Sequence, residues 1–371
     1  MKELKIGDIL ADRRSRKGVT QEEVAEYAGV SKASVSKWEN GLSYPDITIL
    51  PLLATYYNIS IDELLGYRPQ LEDREIRKKY REFSAKFAER PFHKVLEEVR
   101  DFIRSYDSCY PLLLSMVQLY INNYMLAASQ KEGEMLLDEA KELCVRILTE
   151  SEDTLLKKDA LTMESLICLM RKEPEEVFAL LGRKLRPMLP GDLFIISAYQ
   201  MIGETGQAME YTQALLYQYL VIYIDLMGTY FTVGSREQQE ECLNRIRKLA
   251  EAFDMERLMP HKLASVYGGA MMHYAALQDE DKVIENFLAY VHLIEREWKN
   301  FSIHGDKFFD KLDGWVQDIG LNTEMPRDKR LVRKDMVSSV VGNPVFDSVR
   351  HNPEFQKLEN RLKDLEDEPN Q

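Results

Sequence analysis

Four cysteines, six histidines and sixty-two carboxylates are the groups that could do chemistry in this 371-residue chain. Cys109, Cys144, Cys168 and Cys242 stand 35, 24 and 74 residues apart, whereas a zinc or thiol-redox site draws on closely spaced pairs. Each is flanked by helix-forming apolar residues, which predicts buried free thiols. His261 and His273 are too far apart to share a metal on one helical turn, and no His-Glu-x-x-His occurs. There is no glycine loop to cradle a phosphate and no nucleophile motif, so the expectation is no enzyme, no metal and no cofactor. Polar groups that could bind rather than react remain. Asn122 and Asn123 interrupt the apolar stretch Leu119 to Leu126. Asparagine is a poor mid-helix residue, and its amide can both donate to and accept from a peptide backbone. Tyr211, Tyr217, Tyr219, Tyr223 and Tyr230 crowd one later segment. Asn122, Asn123, Tyr219 and Tyr223 are therefore candidate ligand contacts. The alternatives are that the asparagines cross-link helices or face solvent, and that the tyrosines pack between repeats.

The elements that position polar groups are clearest in the first seventy residues. Ile6 to Lys17 reads as a helix stopped by Gly18. Thr20 to Glu23 is a capping box, in which the Thr20 hydroxyl accepts from the Glu23 amide and Glu23 reaches back. The helix it opens buries Val24 and Ala25 and ends near Tyr27, followed by a turn at Gly29. Ser31 caps a further helix through Asn40, closed by Gly41. Asp46 to Asn58 reads as helical but should start late, since Pro51 is tolerated only in a first turn. Ser60 to Glu63 is a second capping box before Gly66. Five short helices in about sixty residues make a compact all-α domain, and the second and third have the spacing of a helix-turn-helix.

The run TQEEVAEYAGVSKASVSKWENG, followed by Pro45 and IDELLG, resembles the Cro-repressor type of helix-turn-helix, the xenobiotic-response-element family, over residues 6–66. Gln21, Ala25, Gly29, Val30, Val35, Trp38, Glu39, Asn40, Gly41 and the Asp62–Leu65 stretch fall in register. Arg13 departs from the pattern, which usually has a core leucine there. The resemblance implies that the third helix enters the major groove of double-stranded DNA with its N-terminal residues at base edges. Lys32, Ala33, Ser34 and Lys37 are then the base-reading candidates: lysine can donate to guanine O6 and N7, and the Ala33 methyl can meet a thymine methyl. Thr20, Gln21, Ser31, Ser36 and Asn40 would meet phosphate oxygens, which position the domain without reading sequence. Val35 and Trp38 face inward as core. The alternative is a domain of this type that binds protein instead.

Charge and length separate the rest of the chain from this domain. Of 49 Lys/Arg and 62 Asp/Glu, residues 1–70 hold nine and ten, so the net charge of −13 is −1 there and −12 beyond. The later part should on average repel nucleic acid. With 45% hydrophobic and 30% charged residues and only 18 Gly and 13 Pro, the chain belongs to the globular class, with loop-rich β folds disfavoured. The most apolar window, Leu215 to Ile224, contains Gln218 and is closed by Asp225, and Met1 to Asp8 lacks an apolar signal core, so neither a membrane span nor export is expected. A cytoplasmic protein is the resulting expectation.

From Leu71 onward the pattern is helical in segments of about 15–20 residues, broken at Pro91, Pro174, Pro187, Pro190-Gly191, Gly203 to Gly206, Gly234, Pro260 and Pro326. These segments resemble degenerate tetratricopeptide repeats, with Tyr267 and Tyr274 on one helix and Phe287 and Tyr290 on the next. An Asn-Pro-x-Phe echo at Asn343–Phe346 and Asn352–Phe355 reads as turns that place both phenylalanines on terminal helices capping the stack. The division expected is a helix-turn-helix domain at 1–66, a linker at 67–73, a tetratricopeptide-like α-solenoid at 74–366 and a polar tail at 367–371. This layout resembles the bacterial peptide-pheromone (quorum-sensing) receptors of the Rgg, PlcR and PrgX kind. The resemblance implies a homodimeric transcription regulator on a palindromic operator, whose repeat domain takes a short peptide effector. The alternative is a repeat domain that docks a protein partner and takes no small ligand.

Overall fold

The computed structural model describes residues 5–67, 70–185, 187, 190–297, 303–318 and 327–366. The tail at 367–371, two residues of the linker (68 and 69) and the break at Pro326 lie outside them. Among the described residues every regular element is helical, as the all-α expectation required.

Residues 6–65 form α1 (Ile6–Lys17), α2 (Gln21–Ala28), α3 (Lys32–Glu39), α4 (Leu50–Tyr57) and α5 (Ile61–Leu65). Both capping boxes form, at Thr20–Glu23 and Ser60–Glu63. Helix α4 starts with Pro51 in its first turn, after Asp46 has folded the approach by accepting from the Thr48 amide at 2.9 Å. Ile6, Leu10, Val24, Val35, Trp38, Leu53 and Leu64 fill one core. Gly29 ends α2 at φ 67°, a left-handed conformation that glycine adopts without steric cost. Gly7 has a different role. A Cβ there would lie 2.5 Å from the Trp38 carbonyl oxygen, so glycine lets α1 lie directly on the end of α3. Arg13 is only partly buried, and its guanidinium reaches Glu63 at 4.0 Å, so the departure from a core leucine is met by a surface ion pair.

The chain divides into two compact units, residues 1–80 with 91–180 and residues 81–90 with 181–371. The helical region expected as one domain over 74–366 thus contributes to both units, the later boundary falling after residue 180. Helix α6 (Asp73–Glu89) runs from the first unit into the second. The first unit continues with α7 (Phe92–Ser105), α8 (Tyr110–Asn123), α9 (Gln130–Glu150), α10 (Thr154–Met170) and α11 (Pro174–Leu181). Helix α8 packs on α9 and α9 on α10. Cys109, Cys144 and Cys168 are buried free thiols, as is Cys242 in the second unit.

The second unit contains α12 (Asp192–Met201), α13 (Thr205–Val233), α14 (Arg236–Ala252), α15 (Met255–Leu258), α16 (Pro260–Ala276), α17 (Glu280–Glu297), α18 (Leu312–Asp318), α19 (Lys329–Ser338) and α20 (Pro353–Glu366). Helices α16 and α17 form the expected hairpin, burying Tyr267, Tyr274, Phe287 and Tyr290. Asn343 and Asn352 each accept from the backbone two residues on, and Phe346 and Phe355 stack 5.7 Å apart inside the core. The helical pattern predicts a segment over Ala208–Tyr223, whereas α13 continues through Gly228 to Val233. It is long and apolar enough to cross a membrane by length and composition. Tyr217, Ile224 and Phe231 are nevertheless built into the protein core, and Asp225 pairs with Lys262 at 2.8 Å.

Candidate nucleic-acid interface

Helix α3 is amphipathic across its width. Val35 and Trp38 are buried, while Lys32, Ala33 and Lys37 are exposed and Ser34 and Ser36 half-buried. The inward face also carries Glu39, at the i+4 position from Val35, and its side chain is only 5% exposed. A buried carboxylate needs hydrogen-bond partners, and two neighbouring helices supply them. Arg14 of α1 donates from Nε to Oε1 at 2.6 Å and from Nη2 to Oε2 at 3.0 Å. Gln21 of α2 donates from Nε2 to Oε2 at 2.8 Å. The Glu39 hydrogen bond holds the Arg14 guanidinium even more firmly protonated than usual. This network fixes the rotation of α3, and with it the direction in which Lys32, Ala33 and Lys37 point.

Several phosphate candidates have local commitments. The Thr20 hydroxyl donates to Glu23 at 2.9 Å and accepts from the Glu23 amide at 3.3 Å. The Thr20 backbone amide, donating to Glu23 Oε2 at 2.6 Å, and then the Thr20 hydroxyl hold the Glu23 carboxyl below its ordinary range. Ser31 accepts from the Ser34 amide at 3.2 Å, and the two hydroxyls meet at 2.8 Å. Asn40 donates to the Ser36 carbonyl at 2.7 Å and closes the end of α3. Gln21 spends one amide hydrogen on Glu39 and keeps the other. Of the base candidates, Lys32 lies 3.2 Å from Glu22, in an ion pair open to solvent on both sides. Lys37 has no such partner among the described residues. Glu39 and Arg14 were not among the sequence candidates as site residues. The i, i+4 spacing from Val35 to Glu39 was the available signal.

The four ligand candidates are divided between the two units. Asn122 and Asn123 belong to the first unit, Tyr219 and Tyr223 to the second. Asn122 donates to the Tyr80 hydroxyl at 2.9 Å, the cross-link between helices that was the alternative. Asn123 is fully buried and donates to the Leu119 carbonyl at 2.9 Å, so in this structure it is closed to a ligand. Tyr219 is half-buried and Tyr223 exposed. Just beyond Asn123 the first unit does contain a cavity of about 570 Å³, lined by Tyr124, Gln130, Leu137, Met170, Arg171 and Lys172 among others. Arg171 is held by Asp138 and Glu173, whereas Lys172 has no ion-pair partner among the described residues. No group of three or more His, Cys, Asp or Glu among the described residues could hold a metal.

Residues 10–64 match the helix-turn-helix family, so this segment is a helix-turn-helix domain. Over 63 residues the chain is 37% identical to the HTH-type transcriptional activator BcrR of Enterococcus faecalis, a match covering 17% of this chain and 31% of that protein. It is 35% identical over 63 residues to the HTH-type transcriptional regulator ImmR of Bacillus subtilis (strain 168), covering 17% of this chain and 50% of ImmR. The matched segment thus spans half or less of either relative. Among solved structures, the crystal structure of Bacillus thuringiensis PlcR in complex with the peptide PapR7 and DNA is similar at 12% identity and a TM-score of 0.25, covering 97% of this chain and 99% of PlcR. A likeness that remote carries no residue roles across.

Proposed function

We propose that this chain is a sequence-specific, DNA-binding transcription regulator that works in the cytoplasm as a homodimer on a palindromic operator. The observation that carries the reading is α3 itself, which turns Lys32, Ala33 and Lys37 outward while Glu39 locks its other face to α1 and α2. A helix held in this way can present side chains to base edges in a fixed register. Selection of duplexes from randomised oligonucleotides tests it. Enrichment of one motif is expected, and no enrichment under any condition would refute the reading. On the selected site, Lys37→Ala should cost about 1–3 kcal/mol if the residue reads a base. Equal losses on selected and random duplexes would reassign Lys37 to phosphate.

The helical part we assign to dimerisation and to sensing a short peptide, on the strength of its two-part layout. The support for the peptide is the cavity beyond Asn123. Its volume of about 570 Å³ falls in the range of small-ligand sites, roughly 300–1,000 Å³. It combines apolar Leu137 and Met170 with Lys172, a cation that could take a peptide carboxylate. Calorimetry of the full chain against a peptide library checks this, and Lys172→Ala should weaken any peptide that binds through its C-terminus.

A further inference from the structure

Helix α13 has apolar side chains on two sides. Tyr217, Ile224 and Phe231, seven residues apart, enter the core. On another side, Leu216, Tyr223 and Tyr230 repeat at the same interval, interleaved with Tyr219, Leu226 and Val233. Five of these six are 40 to 78% exposed, and Tyr219 is half-buried. Side chains spaced alternately three and four apart form the seam along which two helices pair. Here the seam faces solvent. We infer that this stripe is where a second copy of the chain docks, with α13 pairing against its own counterpart.

Charge favours a second copy as the occupant. In a chain of net charge −13, most surfaces oppose self-association. Between Thr205 and Val233 the only charged side chains are Glu210 and Asp225, and Asp225 is paired with Lys262. A neutral stripe meets its own copy without like-charge repulsion, as a two-fold interface requires. Size sets the strength. Residues 216–233 rise about 26 Å at 1.5 Å each, and a stripe about 12 Å wide presents roughly 300 Å² per copy. Standard stable complexes use ~800 Å² per partner, so this contact alone gives a reversible, concentration-dependent dimer.

The assignment rests on the dimeric reading above, and the test separates the two. Sedimentation of the full chain should show a monomer–dimer equilibrium. Leu226→Glu, and independently Val233→Glu, should shift it at least tenfold toward monomer. Both residues are exposed, at 62% and 78%, so helix content and thermal unfolding should stay unchanged. Each variant should still shift a duplex carrying one half-site. A wild type that is monomeric throughout overturns the assignment, as do variants that dimerise like wild type. Wild-type chain floating with phosphatidylethanolamine–phosphatidylglycerol vesicles, while Leu226→Glu does not, overturns it in favour of a membrane. A stripe-dependent dimer that binds no duplex would support the assignment and refute the regulator reading.

Discussion

Glu39 and Glu22 are both acidic residues beside the reading helix, and burial gives them opposite consequences. Glu39 is enclosed and satisfied by Arg14 and Gln21. Glu39→Ala leaves a partly buried guanidinium and an amide without their acceptor, a loss of about 2–4 kcal/mol. Thermal unfolding should show it directly, and DNA affinity should fall because α3 can rotate. Glu22 is mostly exposed, and so is Lys32, 3.2 Å away. An open pair of this kind contributes ~0–1 kcal/mol, so Glu22→Gln should leave the melting temperature nearly unchanged. It frees Lys32 and removes a negative charge from the DNA-facing side, so affinity for duplex should rise severalfold. If Glu22→Gln weakened DNA binding, Lys32 would not be oriented toward the duplex.

The short helices of the first domain were legible in the sequence because local chemistry determines their ends. Thr20, Ser31 and Ser60 start helices and Gly18, Gly29 and Gly66 stop them, each within a residue or two of the expected position. The far end of α13 was less legible, because no residue between Tyr223 and Gly234 marks a stop and the apolar pattern alone leaves the end open. What Asn122 and Asn123 bond was not legible, because periodicity cannot tell a groove-facing amide from one that bonds a neighbouring tyrosine or its own helix. His261, in the first turn of α16, shows what packing adds. Burial, then the adjacent Lys262, pushes its pKa down to about 4, against the smaller opposing pull of Asp225. The unfolded chain protonates near 6.5, so this group's contribution to stability is complete above pH 6.5 and is lost progressively as pH falls toward 4. At 1.36 kcal/mol per pH unit, less a discount for partial exposure, the loss is ~2 kcal/mol. Chemical denaturation between pH 7 and 4.5 should show this decline, and His261→Gln should flatten it.

For the molecule as a whole, on the proposed reading, the acidic excess decides how it would hold DNA. With residues 1–70 near neutral and the rest at −12, no broad basic surface is available, and phosphate contact depends on a few cations and backbone amides around α2 and α3. Each neutralised phosphate contributes a slope of about −0.9 to log K against log salt. One reading head with two to four such contacts should give a slope of roughly −2 to −4 on a half-site duplex. A dimer engaging both halves of a palindrome must release counterions at both, and two heads need half-sites about 34 Å apart or a multiple of that. The slope should therefore double on the full site, and it should return to the single value when the halves are moved five base pairs out of phase. Titrations of the full chain between 50 and 200 mM salt on the three duplexes measure this. Equal slopes on all three would mean that one head binds alone, and that the helical region does not bring a second head to the duplex.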